Sequence, residues 1–161
     1  MFVPNSYSTD LNVGYEQLAK QLDALLTGES DRYANLSNAS ALLNQFLDRI
    51  NWVGFYLWNG DELVLGPFQG LPACVRIPFG KGVCGTAAMQ EETILVPDVH
   101  AFPGHIACDA ASRSEIVVPL LKEGELLGVL DVDSPEVDRF TEEDRKGLEQ
   151  FVRTLVGHLQ V

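Results

Sequence analysis

The stretch from Ser114 to Asp133, SEIVVPLLKEGELLGVLDVD, decides the fold, because two apolar runs flank Lys122-Glu123-Gly124. Runs of this length around a glycine-containing turn read as a β-hairpin, with strands at 114–121 and 125–133. A three-residue loop of Lys122, Glu123 and Gly124 pairs Leu121 with Glu125 and, counting outward, Glu115 with Asp131. A loop shifted by one, Glu123 to Glu125, pairs Glu115 with Asp133 instead. Either register puts Glu115, Asp131 and Asp133 on one face, within about 4.5–8 Å of one another. A two-residue loop would separate them. Like charges across a sheet destabilise it, so the acids either sit at a solvated edge or form a functional cluster. Asp133, next to Ser134-Pro135, suits an edge. Asp131 follows Leu126-Leu127-Gly128-Val129-Leu130 and suits a buried place, where a hard cation could also sit.

Outward from this hairpin, 51–58 reads as an aromatic-rich strand. Asn59-Gly60-Asp61 is a tight turn, and 62–69 returns as a second strand. Trp52 and Tyr56 are four apart and share a face, with Gly54 leaving a gap between them. They are either sheet core or an aromatic wall of a small-molecule pocket. Pro72, Pro78, Gly80, Gly82 and Gly85 punctuate the middle, with a short helix at 85–90 and a strand at 93–96. Residues 98–113 lack periodicity, and loops of that length in a compact domain are usually functional. Asp10 caps a first helix running to Gly28. Asp31 or Ser30 caps a second that carries Leu36, Leu42, Leu43, Phe46, Leu47 and Ile50. Thr141, followed by Glu142, Glu143 and Asp144, caps a last helix with Leu148, Phe151, Val152, Leu155, Val156 and Leu159 on one face.

The pattern is α+β: an antiparallel β-sheet with N- and C-terminal helices packed on one face and a ligand pocket on the other. One domain spans 1–161, with helices in 1–50, sheet and active-site loops in 51–140, and the last helix in 141–161. With 161 residues, 46% hydrophobic and 21% charged, the chain suits a globular fold with a sizeable core. No apolar run is long enough to span a membrane, and the first residues lack the basic and apolar regions of a secretory signal, so a cytoplasmic location is expected. A net charge of −12 disfavours nucleic acid as a partner.

Cys74, Cys84 and Cys108 are three cysteines in a chain without an export signal, which favours burial, catalysis or metal binding over structural disulfides. A zinc site with His100 or His105 is a rival, but no C-x-x-C pair exists and the spacings are long and uneven. Cys84 lies among glycines near the short helix and Cys108 lies on the long loop. Backbone N–H groups in such segments can stabilise a thiolate. Gly80-x-Gly82-x-x-Gly85 fits a dinucleotide fingerprint, but it does not open a βαβ unit.

In several segments the sequence resembles the free methionine-(R)-sulfoxide reductases, a branch of the GAF-domain fold. These are Asn51-Trp52-Val53-Gly54-Phe55-Tyr56, Gly80-Lys81-Gly82-Val83-Cys84-Gly85, His105-Ile106-Ala107-Cys108-Asp109 with Ser112-Arg113-Ser114-Glu115, and Gly128-Val129-Leu130-Asp131-Val132-Asp133. The resemblance implies a GAF-like domain in a dimeric cytoplasmic enzyme that uses thioredoxin as reductant and needs no metal or organic cofactor. It implies a pocket in which Trp52, Tyr56, Glu115, Asp131 and Asp133 surround free methionine-(R)-sulfoxide. Cys108 is then the nucleophile, and Cys74 and Cys84 take part in the thiol chemistry. Proton counting on that substrate assigns the proton to the Glu115 and Asp133 pair, facing the sulfoxide oxygen, and the charge mainly to Asp131, facing the ammonium. A non-catalytic GAF sensor is the alternative. The end of the chain at its last helix argues for a stand-alone enzyme.

Overall fold

The computed structural model describes residues 2–106 and 109–160. Helix α1 (Leu11–Leu26) starts where the Asp10 carboxylate accepts from the Val13 N–H, and α2 (Arg32–Phe46) starts where Asp31 does the same for Ala34. Each cap satisfies one of the N–H groups that a helix start leaves without a partner. The strands β1 (Trp52–Trp58), β2 (Glu62–Gly70) and β3 (Arg76–Pro78) follow. Helix α3 (Gly82–Gln90) and β4 (Ile94–Val96) lead into a single 3-10 turn (Val99–Ala101), then β5 (Ser114–Lys122), β6 (Glu125–Ser134) and α4 (Glu142–Gly157).

The strands form one six-stranded sheet in the order β3-β2-β1-β6-β5-β4, antiparallel at every pairing. Helices α1, α2 and α4 cover one face, where Val53, Phe55, Ile116, Val118, Leu130 and Val132 point into a core with Leu18, Leu22, Leu43, Leu148 and Phe151. The alternate residues Trp52, Tyr56, Val117 and Val129 point the other way and pack with α3 through Val83, Cys84, Ala87 and Ala88. The α+β layout with helices on one face and a pocket on the other is therefore the one expected.

Four local expectations are corrected. Leu47 and Ile50 are not on the second helix: Leu47 caps it, and the chain then turns through Arg49 at φ 53° before β1. Helix α3 begins at Gly82, three residues earlier than the expected start at Gly85, and the short strand β3 is an addition. The β5–β6 turn is neither three-residue loop. Lys122 pairs with Glu125 around the two-residue turn Glu123-Gly124, whose φ values of 51° and 81° suit a hairpin turn of type I′. That register alone would put Glu115 and Asp133 on opposite faces. A β-bulge shifts the pairing by one residue, from Leu121↔Leu126 to Leu120↔Gly128, and so restores Glu115↔Asp133. Gly128 permits it: a Cβ there would lie 2.2 Å from the Tyr56 carbonyl oxygen.

Candidate active site

β6 lies between β1 and β5, so its inward side chains meet residues from both. Asp133 stands opposite Trp52 on one side and Glu115 on the other. Asp131 stands opposite Gly54 and Val117. Glu115, Asp131 and Asp133 thus share the face away from the three long helices. Glu115 is 5% and Asp131 6% exposed, which excludes the solvated-edge reading for both. Asp133 keeps some solvent contact through the pocket they line.

Burial raises the pKa of Glu115 well above the carboxylate range, and the charges of Asp131 and then Asp133 add to it. Burial also raises Asp133 well above its usual value, with Asp131 adding to the effect. Asp131 is raised by burial, while interactions with Glu115 and the Cys84 thiol pull it back down. Burial first and mutual repulsion second thus raise all three carboxyls, Asp131 least, so the coupled cluster retains proton and any charge it carries falls most readily on Asp131. Asp131 Oδ1 is buried without a hydrogen-bond partner, an acceptor waiting for a donor.

Trp52 and Tyr56 stack at 5.8 Å between ring centroids and line the same pocket, while both are nearly buried. They are wall and core at once. Gly54 does not leave an open gap between them: Phe68 of β2 occupies that space, stacked on Trp52 at 5.1 Å, and a Cβ on Gly54 would lie 2.2 Å from the Phe68 Cβ. The Trp52 indole N–H donates to the Leu71 carbonyl at 3.1 Å, and the Tyr56 hydroxyl to the Cys74 carbonyl at 2.9 Å. These bonds draw segment 71–74 over the aromatic wall.

The cysteines separate into different environments. Cys84, in the first turn of α3, is buried against Asp131 and Glu115, and burial followed by those charges pushes its thiol pKa well up. The helix-start N–H groups do not offset this, so burial favours the neutral thiol of Cys84 over the thiolate that its sequence context could stabilise. Cys74 carries no free thiol. Cys108, with Ala107, lies outside the described residues.

Lining residues that the sequence reading did not name as site members include Lys81 and, on the 98–113 loop, Asp109 and Ser112; His105 was weighed only as a zinc ligand. Asn51, just before β1, ties their loop down. Its amide donates to Asp109 at 2.9 Å and to Ser112 at 3.1 Å. The length of the 98–113 loop and the family-like run from His105 to Glu115 were the available signals. His105 Nε2 is 3.7 Å from Glu115, but burial lowers its pKa, so the contact is not an ion pair at neutral pH. The zinc grouping considered from sequence includes Cys108, which lies outside the described residues; among the described ones, Cys84, Glu115 and Asp131 hold donor atoms within 4.8 Å of one another.

The pocket has a cavity volume of about 40 Å³, below that of sites filled by drug-sized ligands, so a ligand larger than a few atoms needs the lining to give way. It offers an aromatic wall, a proton source and a buried charge with a free acceptor. Such a set suits a small zwitterion that carries a second polar group.

Comparisons with known proteins agree with this picture. A family model described as GAF domain matches residues 31–159. The free methionine-R-sulfoxide reductase of Escherichia coli is 55% identical over 141 residues, covering 88% of this chain and 86% of that protein. The Saccharomyces cerevisiae protein of the same name is 45% identical over 160 residues, covering 93% and 89%. The X-ray structure of free methionine-R-sulfoxide reductase from Neisseria meningitidis in complex with its substrate superposes with a TM-score of 0.93. It shares 44% identity and covers 98% of this chain and 95% of that one.

Proposed function

The chain belongs to the GAF-domain family, in the branch of the free methionine-R-sulfoxide reductases, and from that premise we propose that it reduces free methionine-(R)-sulfoxide to methionine by thiol chemistry. The observation that carries this reading is the triad of buried Glu115 and Asp131 with half-buried Asp133, facing Trp52 and Tyr56 in one pocket. A sulfoxide oxygen only accepts hydrogen bonds, so it needs a protonated acid. An α-ammonium needs a charged one. The triad's division meets both demands: Glu115 and Asp133 hold the proton beside the sulfoxide, and Asp131 Oδ1 accepts from the ammonium.

In the reaction, the Cys108 thiolate attacks the sulfoxide sulfur while the Glu115–Asp133 pair protonates the oxygen. Methionine leaves, the oxygen ends on Cys108 as a sulfenic acid, and the sulfoxide has gained two electrons. Cys74 condenses with the sulfenic acid, forming a disulfide and releasing water. Thioredoxin then reduces the disulfide by dithiol exchange. Cys84 is the relay or substitute for Cys74, limited by how firmly its thiol holds the proton. Trp52 and Tyr56 pack against the apolar part of the substrate. The enzyme acts as a homodimer in the cytoplasm, and no metal or organic cofactor enters the scheme. No helix among the described residues is long and apolar enough to cross a membrane.

The cysteine roles are tested by single turnover without reductant. Cys108→Ser should form no methionine, whereas Cys74→Ser should form one equivalent and then stall with thioredoxin. One equivalent from Cys108→Ser would move the nucleophile to Cys84.

A further inference from the structure

Glu115, Asp131 and Cys84 reach the pocket from three elements: β5, β6 and the first turn of α3. One donor atom from each lies within 4.8 Å of the other two, and all three residues are buried. Around a tetrahedral zinc ion, oxygen and sulfur ligands at about 2.0–2.3 Å stand about 3.3–3.8 Å apart, so shifts of about 1 Å close these donors on one ion. A cavity of about 40 Å³ admits that ion with a water as its fourth ligand, since one water needs only about 10–15 Å³.

Two further observations mark the place as one for a cation. The Asp131 carboxylate interacts with Cys84 and Glu115, yet its Oδ1 is buried with no hydrogen-bond partner. Among the described residues no Lys or Arg pairs with Glu115, Asp131 or Asp133, and His105, 3.7 Å from Glu115, is the one basic side chain in contact. A buried carboxylate cluster calls for a compensating positive charge. A substrate ammonium supplies the charge but leaves the sulfur unused. A borderline-soft divalent ion takes both oxygen and sulfur, and as it binds, the thiol proton passes to solvent. Mg²⁺ and Ca²⁺, which take oxygen ligands, match this set poorly.

We propose that Cys84, Glu115 and Asp131 form a zinc site, and that zinc held there excludes the sulfoxide substrate. The metal is a reversible inhibitor and takes no part in the reaction. Binding stands on the geometry alone, whereas the exclusion of substrate rests on the reductase reading.

Binding is tested on full-length Cys74→Ser/Cys108→Ser protein, in which Cys84 is the sole thiol, with Cys84→Ser or Asp131→Asn added in turn. Zinc affinity is read by competition with a chromophoric indicator, and Co²⁺ reports sulfur ligation through its thiolate charge-transfer absorption. One equivalent should bind, and each added substitution should weaken it by about 10–100-fold or more. The cobalt band should vanish with Cys84→Ser, and circular dichroism checks that each variant is folded. Saturating free methionine sulfoxide should displace the zinc. An absence of binding, or binding unchanged by Cys84→Ser, overturns the site. Zinc that withstands methionine sulfoxide, while metal-free wild type turns that compound over, overturns the exclusion. Metal-free wild type without turnover overturns the reductase reading and leaves the site to the binding data.

Discussion

Replacing Glu115 by Gln removes an ionisable group from the triad while keeping the side chain's shape, so its effect on stability can be worked out. Folding raises the Glu115 pKa well above its ordinary value of about 4.5, because the side chain is buried beside Asp131 and Asp133. A carboxyl group raised on folding binds its proton more tightly in the native state than in the unfolded chain. Its favourable contribution is complete below the unfolded value and is lost as pH rises towards the folded one. Two carboxylates about 5 Å apart at an effective dielectric constant of about 20 repel by about 3 kcal/mol. Retaining a proton relieves part of this, so Glu115→Gln should stabilise the protein by about 1–3 kcal/mol at pH 8. For a chain of this length that is about 2–4 °C in Tm per kcal/mol. At pH 4 the gain should vanish. Asp131, Asp133, Cys84, Tyr56 and His105 all face the site and remain in the variant, so the difference between the two stability curves reports Glu115 together with its coupling to Asp131 and Asp133. Thermal unfolding of both proteins at pH 4, 6 and 8 measures it. A variant that is less stable than wild type at pH 8, or shifted equally at all three pH values, would refute the account of the triad.

Other perturbations separate the remaining roles. Asp133→Asn should slow single-turnover methionine formation by about 10²–10⁴-fold at saturating substrate, since the transferable proton is gone. Asp131→Asn should weaken binding more than the chemical step, and a near-normal rate for Asp133→Asn would leave the triad a binding device only. Gly147→Ala puts a Cβ 2.1 Å from the Tyr15 ring, where α1 meets α4, and should cost about 1–3 kcal/mol by urea denaturation. Exhaustive dialysis against a chelator should leave turnover unchanged; a loss restored by one divalent cation would instead make Cys84, Glu115 and Asp131 a metal site that the reaction requires.

The gross architecture was legible because periodicity and caps carry it. Asp10, Asp31 and Thr141 mark their helices as expected, and the alternation along β1, β5 and β6 assigns residues to the two sheet faces. The acid triad was also legible, although the route to it was not. The turn is shorter than expected, and a bulge at Gly128 compensates, so two errors in counting cancelled. A glycine inside an apolar strand was the available signal. Burial was not legible, which is why Cys84 read as a potential thiolate. Asp144 read as a charge favoured at a helix start, yet it is 1% exposed. It accepts from Tyr15 at 2.6 Å and from Arg139 at 3.3 Å, tying α1 to α4. Partners 129 residues apart in sequence leave no local pattern. The same holds for Asn51 and its hold on Asp109 and Ser112.

The central claim is tested most directly by supplying racemic free methionine sulfoxide with dithiothreitol and following each epimer by chiral chromatography. The account predicts that the R epimer alone is consumed, with methionine formed in equal amount, and that methionine sulfoxide inside a peptide is untouched. Comparable consumption of the S epimer, or reduction of the peptide-bound form, would contradict it.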